Sequence, residues 1–171
     1  FTEAVPDPSK QGSETGAFAY PLGNDDAAYV SGMRQLKLYH AWRDADLIRL
    51  PAANRPGSPD APLTAGVLVE NADPISTPDD LELWAEGGTV AIGLTWMTRG
   101  RYASGNGVPS DEPDSGLTDA GKAFVTRMDE LGLVHDASHL NDRSLADLFD
   151  ATDRRVIATH SNCRSLFDPD A

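Results

Sequence analysis

The chain has 171 residues, 40% of them hydrophobic and 24% charged, which fits one ordinary globular domain and excludes low-complexity disorder and collagen-like repeats. A single cysteine, Cys163, excludes an internal disulfide framework and a cysteine-based zinc finger. The net charge of −13 argues against binding nucleic acid or an anionic membrane, and no apolar run approaches the roughly 20 residues needed to span a bilayer.

Residues 1–23 are rich in Pro, Gly, Ser and charge and read as a loop-rich lead-in, with a short apolar element at Ala17–Tyr20. Asn24 followed by Asp25 and Asp26 is a helix start, a capping side chain with acids in the first turn. Tyr29, Met33, Leu36 and His40 then recur at helical spacing, which predicts a helix to about Asp46. Residues 51–62 contain four prolines and a glycine and predict a surface connection. Ala65–Val69 is a short, wholly apolar run of the kind buried in parallel sheets. Thr77-Pro78 opens a helix with Leu81 and Trp84 inward, ended by Gly87-Gly88. Thr89–Leu94 is a second strand, and a long loop runs from about Thr98 to Gly116. Thr118 caps a helix with the stripe Phe124, Val125, Met128 and Leu131, stopped by Gly132. Leu133–Ala137 is a third strand. Asn141 caps a helix with Leu145, Leu148 and Phe149 inward, and Arg155–Thr159 is a fourth strand. Apolar strands alternating with helices predict an α/β fold of parallel βα units, either an open doubly wound sheet or a (β/α)8 barrel. No glycine-rich phosphate loop is present, which weakens nucleotide-binding versions of the open sheet.

Function in such folds gathers at the carboxyl ends of strands. The first strand runs into Glu70, the second into Thr95-Trp96, the third into Ser138-His139 and the fourth into His160. Two imidazoles and a carboxylate are a common catalytic zinc set that leaves a position open for water. His40 reads as a packed or surface residue and His135 as a core hydrogen-bonding residue. Cys163, three residues past His160, is a candidate soft ligand, although a small buried thiol is the better reading.

Four segments resemble the membrane (renal-type) dipeptidase family, peptidase family M19, and its prokaryotic branch in particular. They are Gly66–Ile75 around Glu70, Gly116–Lys122, Leu131–His139 and Val156–Leu166, in family order over about residues 64–166. The resemblance implies a (β/α)8 TIM-type barrel with two Zn²⁺ ions, dipeptide hydrolysis by a metal-bridging water, and a homodimer. It makes Glu70 the bridging ligand and His139 and His160 the remaining ligands of one zinc. Asp136 is expected to support the ligands from behind, and Trp96 and Asp73 to lie near the ligands or the substrate. Trp96 stands where many family members carry a substrate-contacting histidine.

The family's other zinc is held by a His-x-Asp pair, and no His-x-Asp occurs in this sequence. With a length below the usual 250 residues of such a barrel, the expectation is an internal piece of a barrel, one partial domain over 1–171 that holds half of the metal site. The alternative is a non-catalytic remnant or binding module of the same fold. The lack of a leader pattern in this sequence and the single cysteine suggest the cytoplasm.

Overall fold

A computed structural model describes residues 20–51 and 63–162. Most of the lead-in, the 51–62 connection beyond Pro51, and Cys163 lie outside the described residues. Of the Ala17–Tyr20 element only Tyr20 is described, and it is buried.

The described strands are β1 (Val67–Val69), β2 (Thr89–Gly93), β3 (Val134–Asp136) and β4 (Val156–Ile157). They form one sheet in the order β1-β2-β3-β4, every neighbouring pair parallel. Each strand pairs with the next in sequence, because a helical connector returns the chain to the same sheet end each time. All four carboxyl ends therefore lie on one side.

The helices are α1 (Asp25–Asp44), α2 (Leu81–Glu86), α3 (Asp119–Leu131) and α4 (Asp142–Ala151). Their starts are those marked in the sequence. Asn24 accepts the Ala27 N–H at 3.0 Å, Thr118 the Gly121 N–H at 2.9 Å, and Asn141 the Ser144 N–H at 2.8 Å. Thr77 is held differently: its N–H and its hydroxyl both donate to the Asp80 carboxylate, and a 3-10 turn, Pro78–Asp80, precedes α2. Gly132 ends α3 at φ 71°, a left-handed position that favours glycine.

One expectation fails, the inward Phe149 on α4, and α1 buries smaller residues than its apolar row suggests. The buried face of α1 is Ala28, Ser31, Gly32, Gln35 and Leu36, and Tyr29 is 42% exposed. The helix lies so close to α2 and the connection before it that a Cβ on Gly32 would come within 2.6 Å of Pro74 and 2.8 Å of Trp84. Small residues therefore make the contact, and the large ones flank it. On α4, Ser144 and Leu148 turn inward while Phe149 is 58% exposed. The reason is a hydrogen-bonded contact described below, which fixes the rotation of α4 about Ser144.

The core joins Leu36, Val67, Val69, Ile75, Leu81, Trp84, Ile92, Leu94, Phe124, Met128 and Leu148. The 98–116 segment is more than a surface loop. Tyr102, Ala103 and Ser104 are buried at its centre, and the Tyr102 ring packs on Phe124 with centroids 4.2 Å apart. Tyr102 donates its hydroxyl to the Ile75 carbonyl, and burial pushes its phenol above the ordinary range.

Candidate metal centre

Three strand ends bring three donor atoms together. Glu70 directly follows β1, His139 lies in the turn after β3, and His160 lies three residues beyond β4. His139 Nε2 is 3.0 Å from Glu70 Oε1, His160 Nε2 is 3.3 Å from the same oxygen, and the two Nε2 atoms are 2.6 Å apart. The imidazole rings meet edge to face at 4.6 Å. Glu70 and His139 are half-buried, and His160 is exposed on the open side. Among the described residues this trio is the group able to hold a metal ion.

The donor chemistry fits a cation. Two nitrogen lone pairs and a carboxylate oxygen at these separations repel one another unless a proton or a metal ion lies among them. A carboxylate with two neutral imidazoles is a recognised catalytic zinc set.

The backbone around the trio is tightly set. β2 ends at Gly93, where a Cβ would approach the Glu70 carbonyl oxygen to 2.5 Å. Only glycine lets β1 and β2 close up behind Glu70. His139 has φ +70°, a left-handed conformation that costs about 1 kcal/mol or more in a residue with a side chain. It is held there from both sides: its carbonyl accepts the Asn106 N–H at 2.7 Å, and Leu140 N–H donates to Ala137 O.

Asp136 is buried at the end of β3. It accepts the Ser138 N–H at 3.0 Å, the Thr159 N–H at 3.2 Å and the Thr159 hydroxyl at 2.6 Å. Burial pushes its carboxyl upward, but the hydrogen bonds from Thr159 and Ser138 outweigh that and hold it below the ordinary carboxylate range. Asp136 touches neither histidine. It ties together the two chain segments that carry them, and Ser138 adds a hydroxyl that accepts the His160 N–H at 3.2 Å.

Trp96 lies beside the site, edge to face with His139 at 6.2 Å. Asp73 is not one of the three donors. It accepts from Tyr20, Asn71 and the Arg101 N–H, and this buried network pins Tyr20 and the start of the long loop beside the Glu70–Asn71 corner. Burial, and next the Asp73 charge, push the Tyr20 phenol upward. His135 is buried and pairs with Asp129 at 2.7 Å on the α3 side of the sheet, and His40 Nε2 lies 2.9 Å from the Gly87 carbonyl. Both are structural. The sequence reading passed over Thr159 and Ser138. The available signal was a hydroxyl residue immediately before each strand-end histidine.

A sequence profile of the membrane dipeptidase family (peptidase family M19) matches residues 60–170. A protein of the PQQ-III 3′ region of Acinetobacter calcoaceticus is 35% identical over 92 residues, which is 52% of this chain and 29% of that protein. A protein of the pqqA 5′ region of Klebsiella pneumoniae is 33% identical over 90 residues, 51% of this chain and 33% of that protein. Two solved structures are similar in fold. Dipeptidase AC, a metallopeptidase, superimposes with a TM-score of 0.68 at 22% identity over 82% of this chain and 43% of that one. A Rhodobacter sphaeroides metallopeptidase, liganded with a phosphinate mimic of L-Ala-D-Ala, does so with 0.64 at 24% over 82% and 42%. The chain thus spans about a third of the curated relatives' length. Its four parallel strands are an arc of a (β/α)8 barrel.

Proposed function

The chain belongs to the membrane dipeptidase family, peptidase family M19, and on that premise we propose that the protein carrying it is a zinc-dependent dipeptidase whose metal is held by Glu70, His139 and His160. The observation that carries this reading is the convergence of one carboxylate oxygen and two Nε2 atoms from three strand ends within 3.3 Å of one another. A zinc ion bound there would polarise a peptide carbonyl and make water acidic enough to react near neutral pH.

The protein's own residues do the rest. Glu70 and the two histidines present lone pairs in a fixed arrangement, so little reorganisation accompanies metal binding. Asp136 and Ser138 keep the two histidine-bearing segments in register. Trp96 forms an aromatic wall next to His139, where it can orient a small substrate and exclude water from one side of it. The described residues offer one such donor group, so one zinc ion is expected there, and among those residues a second would find Glu70 alone to share.

The test measures Zn²⁺ binding by calorimetry on the chain and dipeptide hydrolysis by the full-length protein, each with and without His160→Ala. One zinc per chain and loss of both properties in the variant are expected. Unchanged zinc affinity and turnover in His160→Ala would refute the assignment. Zinc bound without hydrolysis by the full-length protein would favour the binding-module alternative.

A further inference from the structure

We propose that Thr159 is a positioning residue that fixes His160 in the Nδ1–H tautomer and so leaves Nε2 as a bare donor facing Glu70 and His139. The inference rests on the metal reading of that trio and adds a residue to it.

The argument is one of hydrogen counting. Thr159 Oγ1 lies 2.6 Å from Asp136 Oδ2 and 2.8 Å from His160 Nδ1. A hydroxyl has one hydrogen to give. Asp136 already receives two backbone N–H bonds, from Ser138 and Thr159, and a carboxylate in such surroundings only accepts. The Thr159 hydrogen must therefore point at Asp136, since two oxygens at 2.6 Å without a hydrogen between them repel. The Thr159 oxygen is left as an acceptor toward His160, and Nδ1 must carry the hydrogen.

The opposite side of the ring is compatible with the same tautomer. His160 Nε2 is 2.6 Å from His139 Nε2 and 3.3 Å from Glu70 Oε1. If His139 carries its hydrogen on Nε2, that hydrogen lies between the Glu70 oxygen at 3.0 Å and the His160 nitrogen. His160 Nε2 then accepts, which requires the same Nδ1–H tautomer. A cation replacing that single hydrogen meets three aligned lone pairs. Partners behind a metal-bound histidine typically change metal affinity by about 10–100-fold when removed. The chain Asp136–Thr159–His160 is such a partnership, with a hydroxyl interposed between carboxylate and imidazole.

Three variants test it: Thr159→Val, of the same shape without the hydroxyl, Thr159→Ser, which restores it, and His160→Ala. Long-range ¹H–¹⁵N spectra of the metal-free chain, at a pH where the His160 ring is neutral, report which nitrogen is protonated. The expected result is Nδ1–H in the wild type and Thr159→Ser, and a shift toward Nε2–H in Thr159→Val. Zn²⁺ affinity is expected to fall about 10–100-fold in Thr159→Val and to recover in Thr159→Ser. A wild-type His160 protonated on Nε2 overturns the inference, and that measurement needs no variant to fold. So does a Thr159→Val chain with unchanged tautomer and zinc affinity. Equal zinc affinity in the wild type and His160→Ala would instead overturn the metal reading itself.

Discussion

Asn141 joins α4 to the long 98–116 segment, and its replacement by alanine is expected to be costly. Its side chain is buried and makes three hydrogen bonds: Oδ1 accepts the Ser144 N–H at 2.8 Å, and Nδ2 donates at 3.0 Å to both the Val108 and Ser115 carbonyls. Loss of the helix cap costs about 1 kcal/mol. Loss of each donated bond to a buried carbonyl costs about 1 kcal/mol, and more where no water replaces it. The Ser144 hydroxyl lies 3.3 Å from Ser115 O, but its single hydrogen goes to the Ser104 carbonyl at 2.9 Å, so it offsets little of that loss. The sum is about 3 kcal/mol, and at about 2–4 °C per kcal/mol for a chain of this size the Tm should fall by about 6–12 °C. Asn141→Ser keeps the cap and loses only the two donations, so it should cost about 2 kcal/mol. Urea denaturation of the three chains measures both values. An Asn141→Ala chain within about 0.5 kcal/mol of the wild type, or a serine variant as damaged as the alanine one, would refute this account of the contact. The same contact sets the rotation of α4. Ser144 both receives the Ser104 N–H at 3.1 Å and donates to the Ser104 carbonyl at 2.9 Å, and Phe149 is turned outward as a result.

Three further outcomes are expected. Stability should fall above about pH 10: burial raises the Tyr20 and Tyr102 phenols in the folded state, so their contribution is complete below the unfolded value of about 10 and is lost as pH rises past it. A denaturation midpoint unchanged from pH 9 to 11 would contradict this, and Asp136, whose carboxyl is held low, should act in the opposite sense below about pH 4. Gly105→Ala would drive a Cβ into the Trp96 carbonyl oxygen; a loss of about 1–3 kcal/mol with a change in Trp96 fluorescence is expected, and an unperturbed spectrum with native stability would count against the packing described. His139→Gly should be about 1 kcal/mol more stable than His139→Ala, because φ +70° suits glycine; both should lose zinc, and equal stability by chemical denaturation would show that the left-handed backbone is unstrained.

The local signals in this sequence were sufficient for its order of elements. Caps at Asn24, Thr118 and Asn141, the stop at Gly132 and the apolar runs at β1 to β3 act over a few residues, and each formed where the pattern placed it. The position of Glu70, His139 and His160 at strand ends was equally legible, because a parallel sheet puts every carboxyl end on one side. What the sequence could not decide was rotation and reach. The face that α1 buries depended on how closely Pro74 and Trp84 approach Gly32, a distance set by tertiary packing. The burial of Tyr102 to Ser104 within a polar loop depended on Phe124 and Ser144, 22 and 40 residues further along the chain. The role of Thr159 rests on Asp136, 23 residues earlier in sequence and 2.6 Å away in space. Hydrogen bonds of that kind join strands through the sheet register rather than through sequence spacing, and only the folded chain brings their partners together.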